Sequence, residues 1–361
     1  MRIDAQTPPV LRRQALREAG FLLRRGELVA FPTETVYGLG ADATNTEAVE
    51  KIFRAKGRPG DNPLIVHIDT VERLRQVVAR IPEAAVELAA SFWPGPLTMV
   101  LPRRPEISLS ATAGLETVGV RLPEHPVARE LIAAADRPIA APSANLSGRP
   151  SPTRAEHVRQ DLEGRVSLIL DGGPCRIGVE STVVDLTVDP PVLLRPGGVT
   201  PEDLRQVLGR VDVDPGVLDR VEAGQVRSPG MKYRHYAPGA PAWLFEGEGR
   251  AVAECLARYA GDHLRQGKRL GLLVSEETAE IMEASLPRFK EEIASTNVRL
   301  ALVGRRERPE EYARNLFHLL RTMDAAGVDV ILMEGVPAAG VGLAVENRLR
   351  RAAGYQIVYC S

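Results

Sequence analysis

The chain has 361 residues, of which 44% are apolar and 26% charged, with a formal net charge of −1. That length supports more than one hydrophobic core, and the near-zero charge excludes a broadly basic nucleic-acid or membrane surface while leaving room for a local basic pocket. Three widely spaced cysteines, Cys175, Cys255 and Cys360, argue against a zinc knuckle or a redox pair and fit a reducing cytoplasm.

The amino-terminal MRIDAQTPPVLRRQ carries no apolar core of signal-peptide length, and no run approaches membrane-spanning length, so a cytoplasmic protein is expected. Val10 to Arg25 reads as an amphipathic helix and Leu28 to Phe31 as a strand, after which Pro32 delivers Thr33, Glu34 and Thr35 to the strand's end. Thr46 to Ala55 is a second helix, with Thr46 placed for a capped start. Leu64 to Ile68 is a short apolar strand, and a helix at Ile81 to Phe92 stops before Trp93-Pro94-Gly95-Pro96. Further strands are Leu97 to Leu101, Val118 to Leu122, Ile139-Ala140, Leu168 to Leu170, Ser181 to Asp185 and Val192 to Leu194. This α/β domain closes near residue 207.

Residues 212 to 241 are rich in proline and glycine without periodicity, which marks an extended connector. A mere spacer does not need Met231-Lys232-Tyr233-Arg234-His235-Tyr236; the segment is either glued to a domain surface or a lid over a bound ligand. Beyond it, strands at Ala242 to Phe245, Leu270 to Val274, Val298 to Val303, Val328 to Met333 and Gln356 to Tyr359 alternate with helices such as Arg250 to Arg265 and Glu310 to Ala326. That alternation predicts a small doubly wound parallel sheet. No G-x-G-x-x-G accompanies Gly304, so the chemistry belongs in the first domain. The predicted plan is 1–207, a connector 208–240, and 241–361.

Two polar patches stand out. Lys56 and Arg58, split by Gly57, pair a mobile point charge with a rigid fork of donors, as phosphate binding wants, although a solvated helix end has the same composition. Ser143 and Asn145, two apart on a turn, can offer a hydroxyl and an amide to one ligand. Arg121 emerges from an apolar strand and needs a carboxylate or phosphate partner, either from a ligand or from the protein itself. Asn62 and His67 flank a strand entry and are either structural or ligand-facing. Thr112 lies in a polar loop able to supply amides to an anion. Ser181 and Arg195 stand beside glycines in Gly178-Val179-Glu180-Ser181-Thr182 and Leu194-Arg195-Pro196-Gly197-Gly198. No Ser-His-Asp order, HExxH, P-loop or G-x-S-x-G elbow is present, so the site reads as one that positions reactants and neutralises phosphate, as in adenylyl or phosphoryl transfer.

The chain resembles the two-domain form of the YrdC/Sua5 family of threonylcarbamoyl-AMP synthases. The resemblance rests on FPTETVYGLG (31–40), KGRPGDNPLIVH (56–67), WPGPLTMVL (93–101), VGVRLPEHP (118–126), APSANLSGRPSPT (141–153), GVESTVVDL (178–186) and LLRPGGV (193–199), with SPGMKYRHYAP (228–238) and GLAVENRLRRAA (342–353) typical of the long form. It implies a YrdC-like open twisted mixed sheet with a large concave cavity, and a smaller C-terminal Rossmann-like domain. It also implies a nucleotidyltransferase that converts L-threonine, bicarbonate and ATP, with Mg²⁺ on the phosphates, into L-threonylcarbamoyl-AMP and pyrophosphate. The product would pass to proteins that modify tRNA at position 37.

By the same resemblance Arg121 pairs with the threonine carboxylate, and Thr33, His67 and Ser181 surround its amine and hydroxyl. Lys56, Arg58, Ser143 and Asn145 carry the catalytic and phosphate contacts, with Asn62, Thr112 and Arg195 assisting at ATP. Lys232, His235 and Tyr236 are the lid candidates, His235 and Tyr236 toward the nucleotide. Pure double-stranded RNA binding is a known attribution of the family, but it sits poorly with the net charge. A carbamoyl-transfer accessory role lacks its zinc-finger and acylphosphatase motifs.

Overall fold

The computed structural model describes residues 1–4, 6–218, 235–285 and 297–361, so Lys232 and the first part of the expected lid lie outside the described residues. The described residues form two compact units, 1–147 with 151–218, and 148–150 with 235–361. Among them no helix is long and apolar enough to cross a membrane.

The first unit is built on ten strands: β1 (Val29–Phe31), β2 (Gly38–Asp42), β3 (Ile65–His67), β4 (Leu97–Pro102), β5 (Thr117–Arg121), β6 (Ile139–Ala140), β7 (Leu168–Ile169), β8 (Thr182–Asp185), β9 (Val192–Arg195) and β10 (Asp212–Val213). Their order is β10-β9-β8-β4-β5-β3-β6-β2-β1-β7. Pairs β1–β7, β3–β5, β4–β8 and β9–β10 are parallel and the others antiparallel, the mixed sheet expected. Helix α1 (Pro9–Arg24) starts with proline at its first turn and buries Ala15, Leu16, Ala19 and Leu23 on one face. That face packs with Val127, Leu131 and Ile132 of the helix Pro126–Ala135 over Val29 and Phe31. Gly20 allows the approach, because a Cβ there would lie 2.6 Å from the Ala134 carbonyl carbon.

Helix α2 (Thr46–Lys56) is capped one residue earlier than expected. Asn45, not Thr46, accepts the Ala48 amide, because its extended backbone leaves its side chain facing the free N–H groups of the first turn. The helix ends on Gly57 at φ 63°, a left-handed conformation that costs glycine little, and so Lys56 stands at the last turn.

In the second unit β11 (Ala242–Glu246), β12 (Leu270–Val274), β13 (Val298–Leu302), β14 (Val330–Glu334) and β15 (Ile357–Tyr359) run in the order β13-β12-β14-β11-β15, every pair parallel. Leu270, Leu272 and Val274 face the apolar stripe of the helix Gly249–Arg265, whereas Gly271 between them faces Met323 of the helix Pro309–Ala326. Helices therefore cover both faces, as a doubly wound sheet requires. Cys255 and Cys360, distant in sequence, lie in one core cluster, and burial together with that neighbour pushes the Cys360 thiol up to about 12. It is the fold and not the sequence interval that brings them near each other, and both thiols are free.

Candidate active site

Residues 33–37, between β1 and β2, are the hub on which the other polar segments converge. The Thr33 hydroxyl caps its own turn, accepting from the Thr35 and Val36 amides and donating to the Val36 carbonyl at 2.7 Å. The hub's backbone then recruits three loops. Ile177 and Gly178 donate to the Glu34 and Thr35 carbonyls, Tyr37 donates to Pro152, and the 141–145 turn is tied by Ala144 N to Tyr37 O and Leu39 N to Pro142 O. Motifs more than a hundred residues apart in the chain thus meet at one strand end.

Sheet register places the next group. His67 on β3 and Thr98 on β4 both lie opposite Arg121 on β5, so the three share one face. Arg121 is 4% exposed, and its partner is a protein carboxylate: Nη2 donates to Glu34 Oε1 at 2.5 Å, Nη1 to the Thr35 hydroxyl at 2.8 Å, and Nε to the Gly95 carbonyl at 3.3 Å. Burial alone would raise the Glu34 pKa, yet Arg121 outweighs it and holds the carboxyl below its ordinary value. Thr98 and Ser181 share a hydrogen bond of 2.8 Å, and Arg195 donates to both the Ser181 carbonyl and hydroxyl. Gly197 makes this corner possible, since a Cβ would sit 2.2 Å from the Thr182 amide nitrogen.

Burial, reinforced by Arg121, pushes the His67 imidazole down to about 3, so the ring is neutral. One consequence is measurable. Between the unfolded value near 6.5 and about 3 the unfolded chain binds the extra proton, so stability is full above pH 6.5 and falls as pH drops. From pH 6.5 to 5 the His67 contribution amounts to about 2 kcal/mol. His125 is shifted in the same direction, so the difference between wild type and His67→Gln isolates the effect. Denaturant titrations across that range should show a shallower acid slope in the variant; parallel slopes would contradict a buried neutral His67.

The second cluster forms around Lys56, which is 3% exposed. Its Nζ donates to the Ser143 carbonyl at 2.5 Å, the Asn145 carbonyl at 2.7 Å and Asn145 Oδ1 at 3.4 Å, while Ser143 Oγ donates to Asn145 Oδ1 at 2.6 Å. Lys56 and the Ser-x-Asn turn are therefore one structural piece. Arg58 reaches back to the Asn62 carbonyl and lies over Phe53. The Asn62 side chain is fully buried, with neither its oxygen nor its nitrogen hydrogen-bonded among the described residues.

Other expected site residues are placed differently. The Thr112 hydroxyl goes to Leu109 and Leu115 and its amide to Leu109, all within one tight loop, so the loop spends on itself the donors expected to face an anion. Tyr236 is buried in the second unit, its ring 5.2 Å from Phe317 and under the Arg348 guanidinium, with half-buried His235 beside it. The sequence reading noted Glu34 and Thr35 at the strand end but gave no site role to them or to Thr98. The available signals were an acidic residue between two threonines in an apolar segment, and a lone polar residue inside Leu97-Thr98-Met99-Val100-Leu101.

Two family models match the chain. One described as telomere recombination covers residues 22–197, and the C-terminal domain of threonylcarbamoyl-AMP synthase covers 199–354. The chain is 48% identical over 345 residues to the threonylcarbamoyl-AMP synthase of Pyrococcus abyssi, covering 95% of each, and 49% identical over 344 residues to that of Bacillus subtilis, covering 95% and 94%. It is also similar to the crystal structure of P. abyssi Sua5 complexed with L-threonine, with 46% identity and a TM-score of 0.90 across 100% of this chain and 99% of that one.

Proposed function

The chain belongs to the YrdC/Sua5 family in its two-domain form, and from that premise we propose that it joins L-threonine, bicarbonate and ATP into L-threonylcarbamoyl-AMP, releasing water and pyrophosphate. The observation that carries this reading is the convergence on residues 33–37 of two chemically different clusters. One offers a guanidinium, a carboxylate, hydroxyls and a neutral imidazole, the complement of a small hydroxylated amino acid. The other offers a cation and an amide-hydroxyl turn, the complement of phosphates.

The reaction class is adenylyl transfer. Threonine would lie at Thr33, His67, Arg121 and Ser181, its carboxylate toward the Arg121 N–H groups that Glu34, Thr35 and Gly95 do not use. Arg195 and Thr98 act through Ser181, holding its hydroxyl. Lys56, Arg58, Ser143 and Asn145 would hold the triphosphate in line for attack on the α-phosphorus, with developing charge on pyrophosphate met by fixed donors. Asn62 would present a buried donor and acceptor to the nucleotide. Among the described residues no group of three His, Cys, Asp or Glu side chains could hold a metal, and the phosphate-facing donors are cationic or neutral. Mg²⁺ therefore fits as part of the nucleotide substrate, neutralising pyrophosphate. His235 and Tyr236 remain lid candidates on this reading. The labile adenylate would pass in the cytoplasm to a protein that transfers the threonylcarbamoyl group to tRNA.

The test is pyrophosphate release by the purified protein with MgATP, bicarbonate and each amino acid in turn, with the nucleotide product weighed by mass spectrometry. Threonine-dependent release with a threonylcarbamoyl-adenylate mass is expected. Folded protein that forms no such product in saturating bicarbonate would overturn the reading.

A further inference from the structure

We propose that Glu34 is the acceptor for the α-ammonium group of the amino-acid substrate, and hence the residue that makes the site select an amine. The proposal rests on the synthase reading and deepens it. Glu34 is 3% exposed, and its two carboxylate oxygens have different fates. Oε1 pairs with Arg121, whereas Oε2 is buried with no hydrogen-bond partner among the described residues. A buried carboxylate oxygen without a donor is costly, and native proteins keep few of them without a purpose.

The hub side-chain donors beside it are already committed. The Thr33 hydroxyl donates to the Val36 carbonyl, so in the 2.8 Å contact with Thr35 the Thr35 hydroxyl must be the donor. Arg121 donates to Thr35 and to the other Glu34 oxygen. The Glu34 and Glu124 amides also act on this carboxylate, yet neither completes a hydrogen bond to Oε2, which leaves that oxygen open to a donor brought by a ligand. Of the three substrates, bicarbonate and ATP are anions that a buried carboxylate repels, and only threonine brings a cationic N–H donor. The geometry fits as well as the charge. Glu34 and Arg121 stand side by side at 2.5 Å, as the ammonium and carboxylate of an α-amino acid stand on one carbon.

Isothermal titration of the full chain with L-threonine and with 2,3-dihydroxybutanoate of matching configuration, in which a hydroxyl replaces the amine, tests this directly. Wild type is expected to prefer threonine by about 10- to 100-fold, the range of a charge-assisted hydrogen bond. Glu34→Gln keeps an acceptor for Arg121 but loses the charge. It should lose threonine affinity by roughly that factor, with ATP affinity retained and the hydroxy acid bound as before. Equal weakening of both ligands would overturn the proposal and leave Glu34 as a support for Arg121. So would a wild type indifferent to the amine, a result that stands even if the variant does not fold. Wild type that binds no threonine at all would overturn the synthase reading beneath it.

Discussion

Lys56→Met is expected to lower the rate of threonine-dependent pyrophosphate release by about 10²- to 10³-fold, the usual loss when a preorganised donor is removed from a site of developing charge. Methionine matches the length and volume of lysine, so the α2 end and its Gly57 cap should persist. What disappears is the ammonium that donates to Ser143 O, Asn145 O and Asn145 Oδ1. Those oxygens all belong to one turn, and the cation draws them inward while Ser147 N bonds the Lys56 carbonyl. Without it the two main-chain oxygens repel each other in a buried setting, and the Ser143 and Asn145 side chains lose their mutual orientation. Lys56→Arg separates charge from geometry. A planar fork restores a cation but not three donors radiating from one atom, so it should recover ATP binding and not turnover. Wild-type kcat in Lys56→Met would show that the turn is held by other means and that the cation has no part in phosphate chemistry.

Legibility in the sequence tracked how local each element's cause was. Strands such as Leu97–Pro102, apolar but for Thr98, and Leu270–Val274 are apolar runs between breakers, and the long helices carry their stripe in plain view. Strand β2 was not legible. It reads Gly-Leu-Gly-Ala-Asp, with none of the β-branched or aromatic residues that mark strands, and it forms because Phe31 and Ile139 pack where side chains at Gly38 and Gly40 would be. Helices Pro126–Ala135, Ala155–Leu162, Pro201–Leu208 and Val341–Ala352 lie in stretches where motif residues obscure the periodicity. For the site, the residues with unusual company, Lys56, Arg121 and the Ser-x-Asn turn, were visible. Their partners were not, because which carboxylate meets Arg121 is decided by register and loop closure. Thr112 shows the converse: polar character in a loop does not say which way the loop turns it.

Arg121→Met should destabilise the fold by about 3–5 kcal/mol at neutral pH, because it leaves the Glu34 carboxylate buried without its countercharge. The pH dependence identifies the cause. In wild type the Glu34 pKa is held below its ordinary value, so the pair stabilises the fold above the unfolded carboxyl pKa and this is lost as pH falls through the folded one. In the variant, burial, the largest influence on this carboxyl, is opposed only by the lesser pull of the Glu34 and Glu124 amides and raises that pKa. The protonated acid is then the tolerated form, and the variant loses stability as pH rises from the unfolded value through the folded one. The gap between the two proteins should therefore widen from about pH 4 to pH 7. Adding Glu34→Gln to Arg121→Met removes the buried charge and should restore much of the stability while leaving threonine binding impaired. A pH-independent gap, or a double variant no more stable than Arg121→Met, would mean that Arg121 acts by packing and by its bonds to Thr35 and Gly95. The ion pair would then be incidental to the fold, and Glu34 would be held by the hub backbone alone.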